Sequence, residues 1–188
     1  MTQDLHIHTT FSHDDSSVVH EQTPALIDLV RHADIIGVSD HFEHFHQQFE
    51  LYERTLKQFR FHVGVEVDGS DYVMEAASLP FEYYIFHCRN LDSEYRAVET
   101  LLSTGKPVVI AHPQMMGTQL NRIPPECFIE LNNRYIWRFN WETFFEPYKD
   151  TFQFVIGSDA HQPNWLNQNV ARAVAYKLGI QETFLFDH

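Results

Sequence analysis

The chain predicts an α/β protein in which seven parallel strands, wrapped by helices, close as a barrel. Two observations carry this reading. Short apolar β-like runs alternate with helix-length segments along the whole chain, and several of those runs end in His, Asp or Glu. Strand–helix alternation builds a parallel sheet with helices outside it. Barrels of this kind gather function at the carboxyl ends of their strands, which is where the polar residues fall.

The strands are expected at about 3–8, 34–39, 61–66, 82–87, 107–111, 127–132 and 153–158, with helices over 23–32, 47–58, 93–103, 141–149 and 166–178. Thr23 followed by Pro24 is a helix start, with Thr as the cap and Pro at the first helical position. Gly105 and Gly179 suit helix ends. A length of 188 residues holds one domain with a sizeable core, and no linker, repeat or low-complexity stretch interrupts it. Residues 1–188 are therefore read as one domain.

Composition narrows the function. Thirteen Lys and Arg against 26 Asp and Glu leave a net charge of −13, which argues against tight binding to long nucleic acid. Bound divalent cations would offset part of that charge, so a small anionic substrate stays open. No apolar run approaches the roughly 18 residues of a membrane span. No basic region followed by an apolar one marks a signal peptide, and a cytoplasmic protein is expected. Cys88 and Cys127 are too few for a disulfide scaffold and are expected to be reduced. Among 13 histidines, His20, His32, His62 and His188 are read as surface residues, as are His44 and His46, with contact to substrate or metal the alternative for the last two.

The remaining histidines and acids read as metal ligands. In a strand, residues i and i+2 share a face, so His6 and His8 project together, as do Asp159 and His161. A carboxylate shortly after His8 would close a first site; Asp14 is preferred, with Asp15 and His13 as competitors. His41 ends the run Ile35-Ile36-Gly37-Val38-Ser39-Asp40-His41, read as a buried strand with a polar end, and Asp40 beside it is placed to orient it or a neighbouring imidazole. Glu66 lies in an apolar run where a lone carboxylate would be costly, unless it bridges two cations. His87 and His112 each follow an apolar strand. Gly157 permits an unusual backbone or a close approach.

These motifs, in this order, resemble the PHP (polymerase and histidinol phosphatase) domain family. The matching pieces are Asp4-Leu5-His6-Ile7-His8-Thr9, Ser39-Asp40-His41, Gly64-Val65-Glu66, His87, Ala111-His112-Pro113 and Gly157-Ser158-Asp159-Ala160-His161; Ile129-Glu130-Leu131-Asn132-Asn133 is similar to a further strand of the family. They span residues 4 to 161. The resemblance implies a distorted seven-stranded (β/α) barrel, up to three metals, and as ligands His6, His8, Asp14, His41, Glu66, His87, His112, Asp159 and His161. It also implies hydrolysis of phosphate esters. The chain departs from the pattern at Ser12-His13-Asp14-Asp15, in the fourth strand around His87, and in its short spacing from Glu66 to His87.

Mixed imidazole and carboxylate ligands suit two or three Zn, Mn or Fe ions. The expected activity is metal-assisted hydrolysis of a small phosphomonoester, in which two metals about 3.5 Å apart share a hydroxide and hold the phosphoryl oxygens. Glu66 would set their separation, and Asp159 or a nearby imidazole such as His161 would protonate the leaving oxygen. Arg89 and Arg134, each just past a strand, are the candidate phosphate contacts. A nuclease-like phosphodiesterase and a non-catalytic metal-binding module are the alternatives. A lysine-bridged amidohydrolase is disfavoured because Lys57, Lys106, Lys149 and Lys177 lie on expected helices or loops. The segment from Trp137 to Trp141 is read as packing onto the barrel, with a pocket wall or dimer contact as other readings.

Overall fold

The protein is described as a computed structural model over residues 1–187, so His188 lies outside the described residues. Seven parallel strands follow one another in chain order around the sheet: β1 (Gln3–Asp4), β2 (Ile35–Val38), β3 (His62–Asp68), β4 (Tyr83–His87), β5 (Val108–Ile110), β6 (Phe128–Asn132) and β7 (Gln153–Gly157). β1 is shorter than the expected 3–8. Past Asp4 the chain bridges both neighbours: Ser39 N, just after β2, donates to Ile7 O at 3.0 Å, while Asp159 N donates to His6 O at 2.8 Å and His8 N donates to Ala160 O at 2.9 Å. The last two bonds bring the first and seventh strands together and nearly close the barrel.

Helices α1 (Pro24–Val30), α3 (Phe49–Gln58), α5 (Asp92–Leu102), α7 (Trp141–Phe145) and α8 (Asn169–Leu178) answer the expected ones, and α2 (Phe42–Phe45), α4 (Val73–Ser78) and α6 (Pro113–Met116) are additional short turns. Thr23 caps α1 as the sequence suggested, its hydroxyl accepting from Leu26 N at 3.2 Å. α7 stops before Pro147, since the residue preceding a proline disfavours helix. α8 starts only after the 3₁₀ turn Pro163–Trp165, and Gly179 ends it at φ +67°.

Alternation along the strands sorts the side chains. One face packs Val63, Val65, Val67, Phe86, Ile129 and Phe154 against the helices, in a large cluster joined by Tyr52, Phe81 and Leu101. The other face forms a smaller cluster that includes Tyr83, Ile85, Val109 and Val155 and fills the barrel interior. Tyr83 spans this interior. Its hydroxyl donates to Leu5 O at 2.7 Å, and Gly37 on β2 and Gly64 on β3 leave the room its ring occupies. A Cβ at Gly64 would lie 2.1 Å from Tyr83 Cζ, and one at Gly37 would lie 2.8 Å from Leu5 Cδ2. Phe184, Leu185 and Phe186 pack against this interior cluster.

Two histidines read as surface residues are anchored instead. His32 Nε2 meets the buried Asp4 Oδ2 at 2.6 Å. His62 stacks on Phe186 at 3.8 Å between ring centres and meets Glu82 at 2.7 Å. Both cysteines are free and buried. No helix of the described residues is long and apolar enough to cross a membrane.

Candidate metal centre

Every strand contributes to one polar cluster at the rim of the barrel. Glu66, near the end of β3, sits at its middle with 1% of its surface exposed. Five histidines surround that carboxylate: His87 Nε2 at 2.5 Å, His6 Nε2 at 3.1 Å, His41 Nδ1 at 3.1 Å, His8 Nε2 at 3.2 Å and His112 Nε2 at 3.8 Å. Asp159 lies 3.6 Å from His8, 3.8 Å from His6 and 3.9 Å from His112. His161 meets Asp159 at 3.2 Å.

The imidazole nitrogens converge on one another rather than on ordinary partners. His6 Nε2 and His8 Nε2 are 3.2 Å apart, and His87 Nε2 and His112 Nε2 are 3.0 Å apart. Glu66 Oε1 and His41 Nδ1, though buried, make close ion-pair contacts but no hydrogen bond of regular geometry. Buried polar atoms are normally satisfied by ordinary hydrogen bonds, and so close a gathering of imidazoles around one carboxylate could hold a cation. Three sets of side chains could each hold a metal ion: His8, His41 and His161; His6, His8 and Glu66; and Glu66, His87 and His112. Nitrogen and carboxylate donors of this kind fit zinc and the first-row transition metals.

The ligand rings are aimed from behind. His6 Nδ1 donates to Glu130 Oε1 at 2.7 Å, which turns Nε2 toward Glu66. Glu130 Oε2 accepts from His112 N at 2.8 Å and from Asn132 Nδ2 at 3.0 Å, and Asn132 Nδ2 also reaches Asp159 Oδ2 at 3.1 Å. Glu130 and Asn132 are thus part of the site; the resemblance of residues 129–133 was the signal that pointed to them, without a role. Asp40 does not touch an imidazole. It accepts from Thr9 N, Thr9 Oγ1 and Ser12 Oγ at 2.6, 2.7 and 2.7 Å, and Ser12 Oγ in turn accepts from His41 N at 2.9 Å. Asp40 therefore positions the His8 and His41 loops through Thr9 and Ser12. Its complete burial, outweighing those bonds, lifts its pKa to about 6.

Backbone geometry finishes the aiming. Ala111 belongs to the interior cluster, so a continuing strand would send the next side chain outward. His112 instead adopts φ +25°, ending β5 and returning its ring to the site. Asp159 is at φ +55°. Left-handed backbone at non-glycine residues costs of order 1–3 kcal/mol each and gathers at functional sites. Gly157 serves close approach: a Cβ there would sit 2.0 Å from Glu130 Oε1 and 3.0 Å from His6 Cβ. Gly157→Ala should displace Glu130 from His6 and weaken metal binding roughly 10–100-fold, measurable by competition with a chromophoric chelator; unchanged affinity would mean that Glu130 does not orient His6.

Of the residues expected from the sequence, His6, His8, His41, Glu66, His87, His112, Asp159 and His161 come together. Asp14 does not. The 3₁₀ turn Thr10–Ser12 rotates it outward, where its side chain is 72% exposed and pairs with His13 at 3.0 Å. Asp15 takes the place, with Oδ2 at 2.9 Å from His161 Nε2 and 3.4 Å from His41 Nε2. Those two histidines hold its carboxyl well below the usual range. Asp15→Asn should weaken metal binding about tenfold or more, while Asp14→Asn leaves it unchanged; the reverse result would restore Asp14.

The two arginines also separate. Arg134 lies across the centre, with Nη1 at 3.4 Å from Asp159 Oδ1 and 3.2 Å from the His161 ring nitrogens. Arg89 stands outside, bound to Asp68 at 2.5 Å and Glu94 at 3.1 Å. Asp68 in turn faces His87 Nδ1 at 3.3 Å, so Arg89 acts on the site only through that carboxylate. A cavity of about 210 Å³ opens over Glu66, His87, Asp159, His161 and Arg134.

Charge in the cluster predicts how it loads. Burial disfavours the charged form of His41, yet Glu66 and Asp15 outweigh it and raise the pKa to about 8. At His87 burial is likewise outweighed by Glu66 and Asp68, and the pKa rises to about 10. A protonated imidazole has no lone pair to give, so a cation must displace these protons. Metal affinity should therefore rise with pH until about 10 and fall on acidification. At His6 burial is likewise outweighed, by Glu130, Glu66 and Asp159, and the pKa is raised well above the ordinary value. Calorimetric titration of metal at pH 7 in buffers of different ionisation enthalpy should therefore show about three protons released per protein; no release would contradict the charge pattern.

No family model matches the chain, and no curated protein matches it either.

Proposed function

We propose that the chain is a metal-dependent phosphoesterase that hydrolyses a small phosphate ester at this rim. The observation that carries the reading is the buried Glu66 carboxylate, ringed by histidine nitrogens, with the Arg134 guanidinium facing the same 210 Å³ cavity. The three candidate ligand sets are chained, the first two through His8 and the last two through Glu66, an arrangement suited to two or three adjacent Zn, Mn or Fe ions. Such ions supply Lewis acidity at the phosphoryl oxygens and ease deprotonation of an attacking water. Around them, Glu66 fixes the spacing of the two halves of the centre, and Glu130 and Asn132 keep His6, His112 and Asp159 in position.

Arg134 supplies the planar cation that phosphate oxygens favour. Asp159 is fully buried, yet His6, His161, His112 and His8 hold its pKa down to about 2. It therefore stays ionised and accepts hydrogen bonds. Where the two sets through Glu66 alone are filled, His161, set between Asp15 and Asp159, is free to carry a proton to the leaving oxygen. The acidic surface of a chain with net charge −13 favours small esters over long polymers.

The test is hydrolysis of a phosphomonoester beside a phosphodiester by protein loaded with Mn²⁺, Zn²⁺ or Fe²⁺, with His8→Ala as control. Metal-dependent turnover that falls at least about a thousandfold in the variant supports the reading, and the ratio of the two esters separates phosphatase from diesterase chemistry. Absence of turnover in metal-loaded protein would leave a metal-binding module. Arg134→Ala should raise KM about tenfold or more with metal content intact, and Arg89→Ala should change KM little.

A further inference from the structure

A second cavity, of about 340 Å³, adjoins the metal centre and meets it at Arg134, which lines both. Its walls include Trp137, Arg138, Trp165 and Val170. The packing expected from the sequence for the segment after Tyr135 applies to Trp141, which lies against the core, but not to Trp137. Trp137 is 61% exposed. Its indole has Arg138 5.2 Å from the ring centre, and no other aromatic ring of the described residues packs on it. An indole left open in a cavity wall is an unusual use of so much apolar surface.

The charges match the rings. Arg134 lies 4.8 Å from the centre of Trp165 and 4.9 Å from that of Tyr135, while Arg138 lies 5.1 Å from Tyr135. Arg138 makes no ion pair among the described residues, although acidic groups outnumber basic ones 26 to 13 in the chain. Trp165 is also 6.1 Å from His161, so this aromatic wall continues to the edge of the metal centre. Faces of indole and guanidinium planes are surfaces on which flat π-systems stack.

We propose that this cavity receives the leaving group of the ester and selects a planar aromatic one, seated against Trp137 and Trp165. Arg134 then bridges the two halves of the ligand, meeting phosphate on one side and the ring on the other. Trp137 is a specificity-determining residue and takes no part in the chemistry. The orientation rests on the phosphoesterase reading, because it places the phosphoryl group over Glu66 and Asp159.

The experiment uses phosphonates, whose C–P bond resists hydrolysis, so binding is read without turnover. Calorimetry on Mn²⁺-loaded protein would compare 1-naphthylmethylphosphonate with n-propylphosphonate in the wild type, Trp137→Ala and Trp137→Phe. The ring compound should bind about tenfold more tightly. Trp137→Ala should weaken it about fivefold or more, and Trp137→Phe should retain most of its affinity, while the propyl compound and metal content stay unchanged in both. Equal affinity for the two compounds, an unaltered preference in Trp137→Ala, or no binding of either at millimolar concentration would overturn the proposal. Ring preference without ester turnover would sink the hydrolytic reading alone; turnover without ring preference would sink the aromatic subsite alone.

Discussion

Glu66→Gln should empty the metal centre and lower phosphoester hydrolysis by roughly three orders of magnitude. The substitution keeps the size and shape of the side chain and removes its charge. Glu66 is the one carboxylate within 4 Å of all five imidazoles described around it. It belongs to two of the three sets that could hold a cation. A neutral amide is a poor ligand, and its NH₂ group would point a donor at nitrogens that need to face a cation. Elemental analysis should show loss of bound metal, and steady-state assays should show loss of kcat rather than a rise in KM alone. Near-ultraviolet circular dichroism should remain that of a folded protein. Full metal content in the variant would mean that Glu66 neighbours the ions without binding them.

Gly64→Ala has the largest expected effect on stability. The new Cβ would lie 2.1 Å from Tyr83 Cζ and 2.5 Å from both adjoining ring carbons. The ring cannot slide away, because the Gly37 backbone and Leu5 close off its other side and its hydroxyl is fixed on Leu5 O at 2.7 Å. Overpacking of a close-packed core costs about 1–3 kcal/mol, and a rigid ring held on several sides belongs at or above the upper end. At roughly 2–4 °C per kcal/mol for a chain of this size, the melting temperature should drop by about 6–12 °C. Combining Gly64→Ala with Tyr83→Leu should recover part of the loss relative to the sum of the single changes. Strictly additive effects would show that the ring and the glycine are not in conflict.

What could be read in the sequence, and what could not, follows the range of the interactions. Apolar runs ending in His or Asp were legible because period-2 patterning and a strand-end ligand are local features, and each of the seven expected strands is found. The choice between Asp14 and Asp15 was not legible. It depends on how far the turn Thr10–Ser12 rotates the following residues, a matter of one position that composition does not encode. Asp40 was correctly placed behind the ligands but acts through hydroxyls rather than on a ring. Arg89 and Arg134 looked equivalent, both just past a strand, until Asp68 and Glu94 were seen to engage the first. α4 and α6, of 6 and 4 residues, are too short to show a helical period. The fit of Tyr83 into gaps at Gly37 and Gly64 joins three strands and has no one-dimensional trace.

The seam between the ends of the barrel bears on how the protein comes into being. His6 and His8 bond to the backbone of Asp159 and Ala160, and the ligands of one cluster are drawn from both sides of that junction. During synthesis the set of His8, His41 and His161 is complete only after the seventh strand has been made, whereas the two sets through Glu66 use residues no later than His112. Cation capture by that first set must follow synthesis of the seventh strand. Closing so long a loop is slow, and an ion held by His8, His41 and His161 rewards only the closed state. That ion would then act as a late latch, and a cell starved of metal should accumulate newly made chains that are sensitive to protease at the first and last strands.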